Sequence, residues 1–166
     1  MSAQTGPSAI PTGFRRLAWA AVVVVFLLIV LGGVVRVSDS GLGCGPGGSG
    51  LHGWPLCNGR LVPGLDLNHI LEYSHRVVAS TSGLIIFALV IWAWRRLRAN
   101  KTILRLTGAA AALVLFEGVL GGATVEYDLD ETLVATHLGI AMIILGLLLA
   151  NARVASGKLT LGEWPT

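Results

Sequence analysis

Residues 71–78 read "LEYSHRVV", placing a carboxylate, an imidazole and a guanidinium (Glu72, His75 and Arg76) at the mouth of a long apolar stretch. At 100° per residue, Glu72 and Arg76 share one helical face a turn apart, and His75 lies beside them. Two kinds of chemistry are open to this group. A Glu–Arg pair can anchor a segment at a membrane interface, where such charges are tolerated. Alternatively, the imidazole ligates a cofactor and the carboxylate acts on what is bound. His137, in "VATHLGIAM", favours the second reading, because a lone imidazole inside an apolar segment with no charge beside it is costly and marks a functional position. Glu117, in "LVLFEGVLGG", is a third polar anomaly. Three roles are open to it: a neutral hydrogen-bonding group, a proton relay, or a partner for Arg76.

Positioning these groups falls to four apolar stretches, 17–35, 70–94, 103–125 and 133–150. Each approaches or exceeds the roughly 20 helical residues that cross a bilayer. The composition agrees, at 54% hydrophobic, 13% charged and a mean hydropathy of +0.74. The expected fold is therefore all-α, an integral membrane four-helix bundle over residues 14–153. Residues 1–13 are expected to be a disordered tail, and 154–166 a second tail too short for a domain. The first stretch reads as a retained helix, since its apolar run is long for a signal peptide and lacks a small-residue cleavage site.

A net charge of +3 and a pI near 9.3 raise the possibility of a nucleic-acid partner. The distribution of charge excludes it. Arg15 and Arg16 precede the first stretch, Arg95, Arg96, Arg98, Lys101 and Arg105 lie at the second link, and Arg153 and Lys158 follow the fourth stretch. All fall on one side of an alternating bundle, which the positive-inside rule makes cytoplasmic, so both termini are expected there. The opposite side carries Arg36 and Arg60 among Asp39, Asp66, Glu126, Asp128, Asp130 and Glu131.

That outward side also holds the long loop 36–69, with Cys44 and Cys57 in "SGLGCGPGGSGLHGWPLCNG". An oxidising compartment outside the plasma membrane of a bacterium or archaeon permits a disulfide between them, either as a staple or as a redox-active pair. The spacing favours the staple, because redox pairs are more often C-x-x-C. In the same loop His52 reads as solvated, and His69, just before the second stretch, as facing headgroups in preference to a bound group. Small residues at four-residue spacing, Gly118 with Gly122 and Ala79 with Gly83, read as helix-packing faces.

The second and fourth helices run parallel, and His75 and His137 each lie about five residues inside their stretch. At 1.5 Å per residue both imidazoles sit roughly 7–8 Å below the outer entry. Two histidines at matched depth in a bundle can ligate one flat cofactor. Zinc would want further ligands that the sequence does not offer at that depth, whereas heme iron takes two axial imidazoles. No C-x-x-C-H is present, which excludes covalent c-type attachment.

The motifs "GGVVRVSDSGLGC", "WPLCNG", "EYSHR", "LGGATV" and "VATHLGIA" resemble, in this order, the heme A synthase family, over residues 32–141. The resemblance implies an oxidoreductase that oxidises the C8 methyl of heme O to a formyl group, supplying heme A to terminal oxidases. It implies His75 and His137 as axial ligands, Glu72 as the catalytic carboxylate at the heme edge, and Cys44–Cys57 as the outward disulfide. Arg76 is expected to neutralise a propionate or restrain Glu72. Family members usually have eight helices in two related halves, one holding substrate heme and the other a heme b. Four stretches match one half, so a homodimer or higher homo-oligomer in the membrane is expected. A heme O-producing enzyme and a terminal oxidase are the expected partners. The family's cysteine loop is normally shorter, and Glu117 stands where a glutamine is expected. Two other functions remain in view: a bis-histidine cytochrome that only carries electrons, and a thiol-oxidising protein working through its cysteines.

Overall fold

The computed structural model describes residues 10–62 and 64–160. Among them, four α-helices follow one another as α1 (Thr12–Val37), α2 (Leu67–Arg96), α3 (Lys101–Glu126) and α4 (Glu131–Ala155). A 3-10 turn at Gly50–His52 and an isolated bridge between Cys57 and Arg60 are the only other regular features described. All four helices are long and apolar enough to cross a membrane, and the protein is an all-α, multi-pass membrane protein.

The helices start earlier than hydropathy alone indicates, because caps and not lipid contact define their first residues. Asp66 caps α2 by accepting from the Asn68 amide at 3.2 Å. Asn100 caps α3 through the Ile103 amide at 3.0 Å, and Asp130 caps α4 through Thr132 and Leu133 at 3.0 and 3.1 Å. Thr12 and Gly13, expected in the tail, belong to α1. Of the two expected tails, residues 1–9 and 161–166 lie outside the described residues.

Each helix packs on its neighbours in sequence, and α1 also packs on α4, so α2 and α4 stand diagonally across the bundle. The apolar core is confined to one end. Phe14, Ala18, Ala21 and Val25 of α1 meet Ile86, Leu89 and Ala93 of α2, Ile103, Ala110 and Ala111 of α3, and Ile144, Leu148 and Ala152 of α4. This is the end bearing the basic link, and its rim is tied by a Phe14–Trp92 edge contact and a Trp19 Nε1–Ser156 Oγ hydrogen bond of 3.2 Å. At the other end the pattern changes. Between Val25 and Val35 of α1, between Glu72 and Ser82 of α2, and in α4 before Ile144, no residue is fully buried. A well-packed bundle buries a side chain on every turn of its inward stripe. Three of the four helices leave that layer open, while α3 alone buries side chains there, Glu117, Leu120, Thr124 and Val125.

The α1–α2 loop caps this looser end. Cys44 and Cys57 form a disulfide, and Asn58 N donates to Cys44 O at 2.8 Å alongside it. Amides of the glycine run find acceptors on the acidic α3–α4 turn: Gly47 N on Asp128 Oδ1 at 2.8 Å, Gly48 N on Glu126 O at 3.0 Å and Gly50 N on Glu126 Oε2 at 3.3 Å. Gly43 has to be glycine, because a Cβ there would lie 2.6 Å from the Asn68 backbone at the start of α2. Trp54 closes the cap by lying over Gly122 of α3.

The small-residue faces do not serve as helix contacts. Gly118 and Gly83 have no heavy atom within 4 Å of a notional Cβ, and Gly122 meets the Trp54 ring instead of another helix. This corrects the reading of Gly118–Gly122 and Ala79–Gly83 as packing motifs within the bundle. A wide loop with a tryptophan of its own takes the place of a neighbouring helix at Gly122.

Candidate functional site

Two polar assemblies occupy the capped end. The first joins α2 to the loop. Glu72 is 4% exposed and accepts from the Cys44 amide at 2.7 Å through Oε2, and from Arg76 through Oε1. Arg76 also donates to the carbonyls of Gly53 at 2.6 Å and Leu56 at 2.9 Å. The pair thus grips both strands of the disulfide loop, one beside Cys44 and the other beside Cys57. Both Glu72 oxygens act as acceptors, the behaviour of a carboxylate anion. Arg76 pairs with Glu72 and not with Glu117, which removes one of the three roles considered for Glu117.

The second assembly lies deeper. His75 comes eight residues after Leu67 in α2, and His137 six after Glu131 in α4. At 1.5 Å per residue these positions are roughly 12 and 9 Å inside their helices, deeper than the apolar boundaries suggested and less closely matched. Each imidazole rests on a glycine of an adjacent helix. A Cβ on Gly32 of α1 would lie 3.1 Å from His75 Nε2, and one on Gly121 of α3 would lie 3.2 Å from His137 Cε1.

His137 has a charged neighbour after all. Glu117 Oε1 stands 3.3 Å from His137 Nδ1, so the expectation of an imidazole without a nearby charge is corrected. The sequence hides this contact because the two residues are on different helices, and only the rotation of α3 decides which way Glu117 faces. The contact puts Glu117 level with His137.

The remaining histidines belong to the cap. His52 is exposed, as expected. His69, expected to face headgroups, is half-buried, with Nε2 3.0 Å from Asn58 Nδ2. The disulfide itself is enclosed, with Cys44 and Cys57 at 0% and 2% exposure. An apolar groove of about 460 Å³ between α1 and α2, lined by Val24, Leu27, Leu31, Val78 and Thr81, opens beside the looser layer. No group of three or more His, Cys, Asp or Glu side chains could hold a bare metal ion among the described residues.

A pair of nitrogen donors, glycine shelves under both rings and a layer that three of the four helices leave open fit a planar iron macrocycle better than a bare ion. Fold and site together define a multi-pass helical bundle with an internal imidazole pair beneath a disulfide-closed cap. Residues 65–161 match the model of the COX15-CtaA family, described as cytochrome oxidase assembly protein, and the chain belongs to that family. Relatives named heme A synthase include those of Bacillus licheniformis (35% identical over 121 residues, 72% of this chain and 38% of that protein) and Lysinibacillus sphaericus (36% over 133 residues, 78% and 41%). The Shouchella clausii heme A synthase is 30% identical over 145 residues, 86% of this chain and 46% of that protein. The chain therefore spans less than half the length of these relatives. No solved structure matches it.

Proposed function

We propose that this chain is a heme-binding oxidoreductase unit of heme A biosynthesis, acting on the C8 methyl of heme O in the bacterial plasma membrane, with the cysteine loop outside and the basic link in the cytoplasm. The observation that carries the reading is the pair His75 and His137, set on diagonal helices in the layer of the bundle where α1, α2 and α4 leave their inward faces open. His75 and His137 would hold the heme by its iron, which supplies the redox chemistry when bound. Which of heme O and heme b the unit holds follows from the test below.

Glu72 precedes His75 by one turn and stands between the imidazoles and the cap. Its pinned negative charge suits stabilising positive charge that develops at an oxidised ring substituent. With both oxygens engaged, electrostatic stabilisation is favoured over general-base work. Arg76 keeps the carboxylate oriented, and the cap excludes bulk water from the site. The apolar α1–α2 groove gives a hydrophobic tetrapyrrole a lateral route from lipid. A homodimer would bring two such units together, and a heme O-producing enzyme and a terminal oxidase would flank the step. The thiol-oxidising alternative is disfavoured by the enclosure of both cysteines, since exchange needs an accessible sulfur.

One observation supports the electron-carrying alternative: Glu72 has a complete structural job in gripping the loop. Co-expression with a heme O-producing enzyme, followed by analysis of extracted hemes, separates the two. Hydroxymethyl or formyl heme is the expected product, and Glu72→Ala retains heme while losing conversion. Unmodified heme bound in stoichiometric amount overturns the enzymatic reading and leaves the cytochrome.

A further inference from the structure

Glu117 has no part in the function proposed above, yet it is among the most costly residues in the chain. It is 9% exposed in the middle of an apolar helix, and neither of its oxygens has a hydrogen-bond partner among the described residues. His137 Nδ1 is likewise buried without a partner. These orphaned atoms face each other at 3.3 Å, Glu117 Oε1 to His137 Nδ1. One turn further along α3, Gly121 brings bare backbone against Cε1 of the same ring. Helix α3 thus meets His137 twice on one face, with an acceptor at one position and a shelf at the next. Leaving a buried carboxylate and a buried imidazole nitrogen unpaired forfeits the hydration of both, and a proton shared between them offsets the two losses together.

We propose that Glu117 is a positioning residue for the heme ligand His137. It accepts the Nδ1–H proton in a hydrogen bond, which fixes the tautomer and the ring plane and leaves the Nε2 lone pair free for iron. The inference rests on the reading of His137 as an axial ligand. A carboxylate behind a metal-bound imidazole makes the ligand more basic and holds its orientation. Among the described residues no carboxylate pairs with His75, which rests on Gly32, so the two imidazoles would differ in donor strength toward a bound heme. The stronger donor, His137, would favour ferric over ferrous iron in a bound heme.

The test uses the full chain in lipid nanodiscs, first without heme. Nitrogen-15 histidine shifts, with His137 assigned by its loss in His137→Gln, report the tautomer directly. Protonation at Nδ1 is expected in the wild type, persistence in Glu117→Gln, whose amide oxygen still accepts, and loss of the preference in Glu117→Leu. After heme addition, Glu117→Leu is expected to bind roughly 10- to 100-fold more weakly. Each tenfold loss of ferric preference raises the midpoint potential by about 59 mV. Protonation of His137 at Nε2 in the heme-free wild type overturns the proposal, as do unchanged affinity and potential in Glu117→Leu. A wild-type chain that shows the Nδ1–H tautomer but takes up no heme as a bis-imidazole complex sinks the ligand reading while leaving the Glu117–His137 contact standing.

Discussion

Glu72 and Glu117 are two buried carboxylates at the same end of one bundle, and their surroundings are opposite. Glu72 is paired at both oxygens, with an arginine one turn away and a backbone amide on the other side. Glu117 has one imidazole within reach and no hydrogen-bond partner among the described residues. The comparison separates two reasons for keeping charge inside a membrane protein. A paired charge with both oxygens engaged describes architecture, here the attachment of a disulfide loop to α2. An unpaired one beside a potential ligand describes a site awaiting a partner. In sequence the two are ranked the other way round, because Glu72 sits in a dense motif and Glu117 stands alone.

The sharpest way to break this division is to remove the imidazoles. His75→Ala and His137→Ala should each abolish the low-spin bis-imidazole absorption spectrum of the heme-loaded chain, an all-or-none change. Loss in only one of them would mean that the two rings do not serve one iron. Next in size is Arg76→Ala, which strands Glu72 as an uncompensated buried charge and frees the Gly53 and Leu56 carbonyls. Breaking a buried pair from one side costs about 3–5 kcal/mol, measurable as a lowered midpoint in detergent unfolding. The double substitution Glu72→Gln with Arg76→Ala should recover part of that loss. Glu117→Leu, by contrast, should lower the unfolding midpoint less, by about 1–3 kcal/mol, since it strands the His137 Nδ1–H and not a buried charge. Equal destabilisation by the two changes would erase the distinction between the carboxylates.

The four membrane-length helices were legible in the sequence because hydropathy and composition act residue by residue. Helix ends were legible less well, since Asp66, Asn100 and Asp130 begin helices outside the lipid-facing runs. Two features could not be read. One is the contact of Glu117 with His137, which depends on how α3 is rotated against α4. The other is the docking of glycine amides onto Glu126 and Asp128, although the acidity of "EYDLDE" was itself the available signal, a set of acceptors opposite a loop rich in free N–H groups. Helix-spaced glycines misled, because spacing shows that a face is small but not what covers it.

Disulfide removal bears on the cap alone. Cys44→Ser with Cys57→Ser releases a loop closed over a sequence separation of 13, worth about 3 kcal/mol on loop-entropy grounds. The loop's hydrogen bonds to Glu72, Arg76, Glu126 and Asp128 remain, so the variant should unfold earlier while retaining the heme spectrum. Loss of heme along with the disulfide would show that cap and imidazole pair form one unit rather than two.

The smallest effects come from single methyl groups, and they test the deeper assembly at its finest scale. Gly121→Ala places a Cβ 3.2 Å from His137 Cε1, tighter than ordinary contact, so the ring must shift by a few tenths of an ångström. Gly118→Ala adds the same methyl on the same helix, where nothing lies within 4 Å, and removes glycine from a helix interior. The second change should therefore stabilise by up to about 1 kcal/mol with no spectral consequence. Gly121→Ala gains the same helix propensity but should displace the Soret band or broaden the low-spin electron paramagnetic resonance signal. Since propensity is equal in the two variants, any spectral difference between them isolates the contact between α3 and the imidazole. Identical spectra would mean that Gly121 is no shelf, and that Glu117 alone carries whatever hold α3 has on His137.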